Sequence, residues 1–184
     1  MKIAFFEIKK WEEGYIKERL KGNKMLFFED SFSSKFISKI SDVDCIVSFI
    51  YSDLIKDNLS KLPKLKFIAT MSTGFNHIDL EYCKKNNIRV SNVPHYGSNT
   101  VAEHTFALIL SLSRNIHTAI EKTRKNDFSL DGLEGFDLKG KTLGVIGPGS
   151  IGQNVIKIAK GFEMNVLVYG EKRDLELSRK LGFN

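Results

Sequence analysis

The sequence predicts an α/β fold made of parallel βαβ units, and three observations predict it. Short apolar runs alternate with amphipathic segments through the first half of the chain. An apolar strand, a glycine-rich turn and a helix follow one another at 142–162. The composition is globular: 42% of the 184 residues are hydrophobic and only three are Pro, which excludes a disordered or collagen-like chain.

The elements follow in order. Lys2 to Phe6 reads as a buried strand, Trp11 to Leu20 as a helix, Lys24 to Phe28 as a strand and Ser34 to Ile40 as a short helix. Asp44 to Phe49, rich in Ile, Val and Phe, is the next strand. A helix from Asp53 to about Leu62 ends at Pro63, which has no N–H to continue it. Phe67 to Met71 and Ile88 to Val90 complete the strands, with a helix from Ile78 to Asn87 between them. Strands separated by such helices imply a parallel sheet covered on both faces.

One segment breaks the rhythm. Pro94-His-Tyr-Gly97-Ser-Asn is a turn-rich hinge, and Thr100-Val-Ala-Glu103 has the form of a capping box, so a long helix is expected from Thr100 to about Thr123. Val101, Leu108, Leu112, Ile116 and Ile120 recur along it at helical spacing. The hinge marks a crossing between domains, 1–99 and 100–184.

After a loop at Asp127 to Gly140, Thr142 to Ile146 forms a strand, Gly147-x-Gly149-x-x-Gly152 follows at once, and Ile151 to Phe162 has helical spacing. Asn165 to Tyr169 is a second strand. Glycines at this spacing, bracketed by strand and helix, form a dinucleotide-binding turn. Gly147 allows the tight turn, Gly149 leaves room for a pyrophosphate and Gly152 lets the helix pack on the strand. The N–H groups of Ser150 and Ile151, at the positive helix end, are placed to hold phosphates. Pro148 is compatible, since its position need not donate. Past the second strand, where an acid usually binds the adenosine ribose, the chain reads Tyr169-Gly170-Glu171-Lys172-Arg173. Glu171 can serve one place late, which favours NAD, while Lys172 and Arg173 admit NADP.

Charge excludes other partners. The net charge of +6 is spread evenly: residues 1–94 carry 16 basic and 12 acidic side chains and residues 95–184 carry 12 and 10. A nucleic-acid binder concentrates its cations on one face, so no nucleic-acid partner is expected. No stretch approaches the roughly 18 apolar residues of a membrane span, and the N-terminus lacks the apolar run of about 7 to 15 residues of a signal peptide. Cys45 and Cys83 stand in no CxxC spacing and read as buried thiols. The expectation is a cytoplasmic protein without a membrane partner or a metal site.

Three blocks, in order, resemble the D-isomer-specific 2-hydroxyacid dehydrogenase family: Ser72-Thr-Gly74-Phe-Asn-His-Ile-Asp79, Asn92-Val-Pro-His-Tyr-Gly-Ser-Asn-Thr-Val-Ala-Glu-His104, and Leu138 through Gly152. The resemblance spans essentially the whole chain. It implies a flavodoxin-like substrate domain over 1–99, lacking its C-terminal return. A crossing helix and the start of a Rossmann NAD-binding domain follow over 100–184. It further implies that the backbone of Thr73 and Gly74 holds a substrate carboxylate, that Tyr96 lines the substrate cleft and that Val101 sits against the nicotinamide. Gly170 departs from the family's acid.

The implied activity is NAD(P)-dependent interconversion of a small-molecule 2-keto acid and a D-2-hydroxy acid. The alternative is a nucleotide-sensing corepressor of the same family. The family's catalytic Arg, Glu and His fall in blocks absent from this sequence, and none of His77, His95, His104 and His117 occupies the catalytic position. The chain is therefore expected to be an N-terminal fragment, inactive alone, from a protein that is a homodimer when full length.

Overall fold

A computed structural model describes residues 1–184, which form two compact units, Met1–Pro94 and His95–Asn184. The division falls inside the turn-rich segment that begins at Pro94.

In the first unit five strands lie in the order β2-β1-β3-β4-β5, all parallel. They are β1 (Lys2–Phe5), β2 (Lys24–Phe27), β3 (Cys45–Ser48), β4 (Phe67–Thr70) and β5 (Arg89–Ser91). This is the flavodoxin-like order, whose direction of winding reverses between β1 and β3. The connecting helices are α1 (Lys10–Arg19), α2 (Ile37–Ile40, after a 3-10 turn at Ser34–Phe36), α3 (Lys56–Leu59) and α4 (Leu80–Lys85).

Both faces of the sheet are covered, as the near-continuous apolar strands require. On one face Ala4, Phe6, Ile46 and Ile68 pack with Phe32, Ile40, Leu54 and Leu59; on the other Ile3, Phe5 and Cys45 pack with Ile8. Phe6 stacks on Phe28 at 4.8 Å between ring centroids and meets Phe32 and Phe36 at 5.2 Å each. Burying one such ring contributes about 1.5–3 kcal/mol.

The second unit begins with α5 (Ser98–Ser113) and α6 (Ile116–Arg124), followed by β6 (Thr142–Ile146), α7 (Ser150–Gly161), β7 (Asn165–Tyr169) and α8 (Leu175–Leu181). β6 and β7 pair in parallel, and α5 packs on α7, with Phe106 stacked on Phe162 at 5.5 Å. No helix is long and apolar enough to cross a membrane.

Three expectations about helices need correction. The long helix starts at Ser98, not Thr100, with Gly97 as its N-cap and no capping side chain. Thr100 therefore lies within the first turn, and Glu103 accepts from the Asn99 amide instead of closing a box. Nor does the helix run unbroken to Thr123. Asn115 takes a left-handed conformation (φ 50°) between α5 and α6. The loop at 134–136 imposes this break, because the Phe136 N–H takes the Ser113 carbonyl and the Asn115 amide donates to Glu134 O. Finally, α3 is a single turn rather than a helix from Asp53, because Leu54 is held in an extended bridge to Ile78.

Candidate functional site

The C-terminal ends of the first unit's strands carry a polar constellation. Glu7, directly after β1, is left-handed (φ 61°), a conformation uncommon outside glycine. Its carboxylate accepts from the N–H groups of Phe49 and Tyr51 (3.0 and 2.9 Å) and from Ser52 Oγ (2.5 Å). Glu7 thus ties the end of β1 to the loop after β3, where the sheet reverses its winding. An open cleft of about 720 Å³ there is lined by Glu7, Lys9, Lys10, Phe49 and Tyr51.

After β4 comes the loop that carries Thr73 and Gly74. Neither Thr73 nor Gly74 donates its N–H to any protein acceptor, and both residues are exposed. Their carbonyl oxygens, by contrast, are occupied. Asn92 Nδ2 donates to Thr73 O at 2.8 Å and Ser72 Oγ donates to Gly74 O at 2.6 Å. Thr73 Oγ1 donates to Val93 O at 3.0 Å, so the threonine side chain is spent on fixing the loop. Beneath it Thr70 Oγ1 lies 2.6 Å from Ser72 Oγ and 3.4 Å from His77 Nε2. Burial lowers the His77 pKa from its ordinary value, and the negative charge of Glu7 partly opposes this. Free N–H groups on a glycine-containing turn favour an anion.

In the second unit the glycines do what their spacing predicts locally. Gly147 has φ +88°, which suits a residue without a side chain, and its N–H donates to Tyr169 O at 2.8 Å. A Cβ on Gly152 would lie 2.2 Å from Gly147 O, so only glycine lets α7 approach the turn this closely. A Cβ on Gly149 would meet nothing within 4 Å, which leaves open space over the turn. The Ser150 and Ile151 N–H groups at the start of α7 have no acceptor, and Ser150 Oγ is 3.2 Å from His95 Nδ1. An open depression of about 650 Å³ is lined by Gly147, Pro148, Gly149, Gly170, Glu171 and Lys172. The turn expected to hold a pyrophosphate and the segment expected to meet the ribose therefore line one concavity. These residues fit a dinucleotide.

Tyr96 and Val101, also in this unit, are both exposed. Sequence reasoning missed Glu7, Asn92 and the Thr70–Ser72–His77 group. Asn92, Ser72 and His77 stand inside the blocks that carry the family resemblance, and that placement is the available signal. For Glu7 no sequence pattern signalled the left-handed turn.

Comparison with known proteins gives two family matches that overlap at 106–132. Residues 3–132 match the D-isomer specific 2-hydroxyacid dehydrogenase catalytic domain, and residues 106–183 match the NAD binding domain of the same proteins. D-lactate dehydrogenase of Escherichia coli is 35% identical over 173 residues, covering 92% of this chain and 53% of the relative. A 2-hydroxyacid dehydrogenase homolog of Haemophilus influenzae is 39% identical, covering 92% and 52%. Among solved structures, D-lactate dehydrogenase from Aquifex aeolicus, complexed with NAD and lactic acid, superposes with a TM-score of 0.91 at 36% identity, covering 97% of this chain and 54% of that one. The chain spans about half the length of the curated relatives it matches.

Proposed function

The chain belongs to the D-isomer-specific 2-hydroxyacid dehydrogenase family, and from that premise we propose that it supplies the substrate-anchoring and cofactor-cradling parts of an NAD-dependent oxidoreductase. The reaction is interconversion of a 2-keto acid and a D-2-hydroxy acid. Residues 1–99 serve as the substrate domain and 100–184 as the crossing helix and the first part of the nucleotide domain.

The observation that carries the reading is the Thr73–Gly74 loop, whose N–H groups are free while its carbonyls are occupied. Those donors hold the substrate carboxylate, and Tyr96 lines the keto-acid site. NAD, when bound, supplies or takes up the hydride. Gly149 gives the pyrophosphate room, the Ser150 and Ile151 N–H groups bond its oxygens, and Val101 faces the nicotinamide. Gly170 and Glu171 border the adenosine ribose. Glu171 accepts from a ribose hydroxyl and so favours NAD, whereas Lys172 and Arg173 would attract the extra phosphate of NADP.

The alkoxide formed in reduction requires a fixed cation and a proton donor, and we place both outside these 184 residues. The chain alone then binds ligands without turning them over. Support comes from the relatives' greater length and from β6–β7, where Ile146 and Tyr169 are 87% and 72% exposed although parallel strands are ordinarily covered on both faces. The exposed apolar side chains of Leu108 and Leu112 on α5 and of Ile116 and Ile120 on α6 support a homodimer of the whole protein. The buried thiols Cys45 and Cys83 suit a cytoplasmic setting.

An NADH-dependent assay with pyruvate or glyoxylate, run beside an NADH and NADPH titration of the same chain, tests these points. NADH binding tighter than NADPH, with no turnover, is the expected result. Turnover would contradict the placement of the catalytic groups, and absence of binding to either nucleotide would contradict the cofactor reading.

A further inference from the structure

We infer that Asn92 and the hydroxyl chain from His77 through Thr70 to Ser72 are positioning residues that convert the Thr73–Gly74 loop into a site presenting only donors. The inference rests on the proposed carboxylate-binding role of that loop.

Proton bookkeeping sets the direction of the chain. A carbonyl oxygen only accepts, so Ser72 must give its single hydroxyl proton to Gly74 O. Ser72 Oγ then has none left for Thr70, and the 2.6 Å contact between them requires Thr70 to donate. Thr70 in turn has spent its proton, so the contact with His77 requires a proton on Nε2 of the ring. The chain therefore runs His77 Nε2–H to Thr70, Thr70 to Ser72 and Ser72 to the Gly74 carbonyl. Ser72 and Thr70 are buried, at 3% and 2% exposure, so water does not compete for these hydroxyls. The Asn92 amide is oriented by the same rule, because only its NH2 can meet Thr73 O.

The consequence lies in the peptide groups. Thr73 C=O and Gly74 N–H belong to one peptide unit, and Gly74 C=O and Phe75 N–H to the next. A hydrogen bond to the carbonyl of a peptide polarises the whole unit and strengthens its N–H as a donor, by about 10–30% per bond. Asn92 thus strengthens the Gly74 N–H, and Ser72 strengthens the Phe75 N–H, which also has no acceptor in the protein. Equally, one lone pair of each carbonyl is taken up by a side-chain donor, which weakens its repulsion of an incoming carboxylate.

The test uses the 15N-labelled 184-residue chain, titrated with oxamate at constant ionic strength while the amide signals of Thr73, Gly74 and Phe75 are followed. In the parent chain these signals shift saturably. In Asn92→Ala the affinity falls about fivefold, and in Asn92→Asp, where the donor is replaced by a negative charge, about tenfold or more. The Gly74 amide proton of ligand-free Asn92→Ala also moves upfield, a change that loss of stability alone would not produce. Ser72→Ala shows the corresponding upfield move at Phe75. Unchanged oxamate affinity and an unmoved Gly74 proton in Asn92→Ala would overturn the positioning role and leave the carboxylate reading intact. No loop shift in the parent chain would overturn that reading and the inference together.

Discussion

Pro148 occupies the space that a side chain at position 170 would need: a Cβ built on Gly170 stands 3.0 Å from Pro148 Cδ and 3.4 Å from its Cγ. The ring cannot swing aside, because its closure fixes φ. The proline within the glycine turn and the missing acid after β7 are therefore one packing solution. Gly170→Asp alone should weaken NADH binding by disturbing the turn, and Pro148→Ala with Gly170→Asp should restore it and widen the preference for NADH over NADPH. Paired titrations of the two variants check this; equal NADH affinities in both would refute the coupling.

Gly152 and Gly149 should separate stability from binding. Gly152→Ala brings a methyl to 2.2 Å from Gly147 O and should cost about 1–3 kcal/mol, the usual range for overpacking. Gly149→Ala meets nothing within 4 Å and has an ordinary φ of −71°, so stability should barely change while nucleotide affinity drops. Urea denaturation and NADH titration of the two variants provide the comparison.

The thiols should be inert in the folded chain. Burial, with the nearby charges of Asp44 and Asp79 respectively, pushes Cys45 and Cys83 up to about 11. At pH 8 a thiol reagent should label neither until the chain is unfolded, whereupon both react. Rapid labelling of either in native conditions would place it nearer the surface than the structure does.

His77 should impose a pH dependence on stability. Its folded pKa lies below the ordinary value of 6.5 because burial disfavours the imidazolium, with Glu7 opposing. The unfolded chain therefore binds the proton first as pH falls. The contribution is fully present above 6.5 and is lost as pH drops toward the folded value. Denaturation midpoints at mildly acidic and neutral pH should differ less in His77→Gln than in the parent chain; equal differences would exclude His77 as a source.

Local chemistry made much of the molecule legible from sequence. The apolar runs at Ile3–Phe6 and Cys45–Val47 and the glycine spacing at 147–152 each follow from forces acting within a few residues. The exceptions depended on distant partners. The break at Asn115 is set by Phe136 and Glu134, 19 or more residues away, and the shortened α3 is set by the bridge of Leu54 to Ile78. Asn92 acts on Thr73 through the adjacency of β4 and β5, which only the assembled sheet provides. In the site, the spacing of the glycines was readable because a phosphate needs backbone alone. The donor chain under Gly74 was not, because its direction depends on where three side-chain protons go.

We propose that two backbone sites, one for a carboxylate and one for a pyrophosphate, reside in these residues. Titration of the 15N-labelled chain with NADH tests the second of them most directly. The largest amide shifts should fall at Gly149, Ser150 and Ile151, with smaller ones at Gly170 and Glu171. Saturable NADH binding that leaves those five amides unmoved would contradict it.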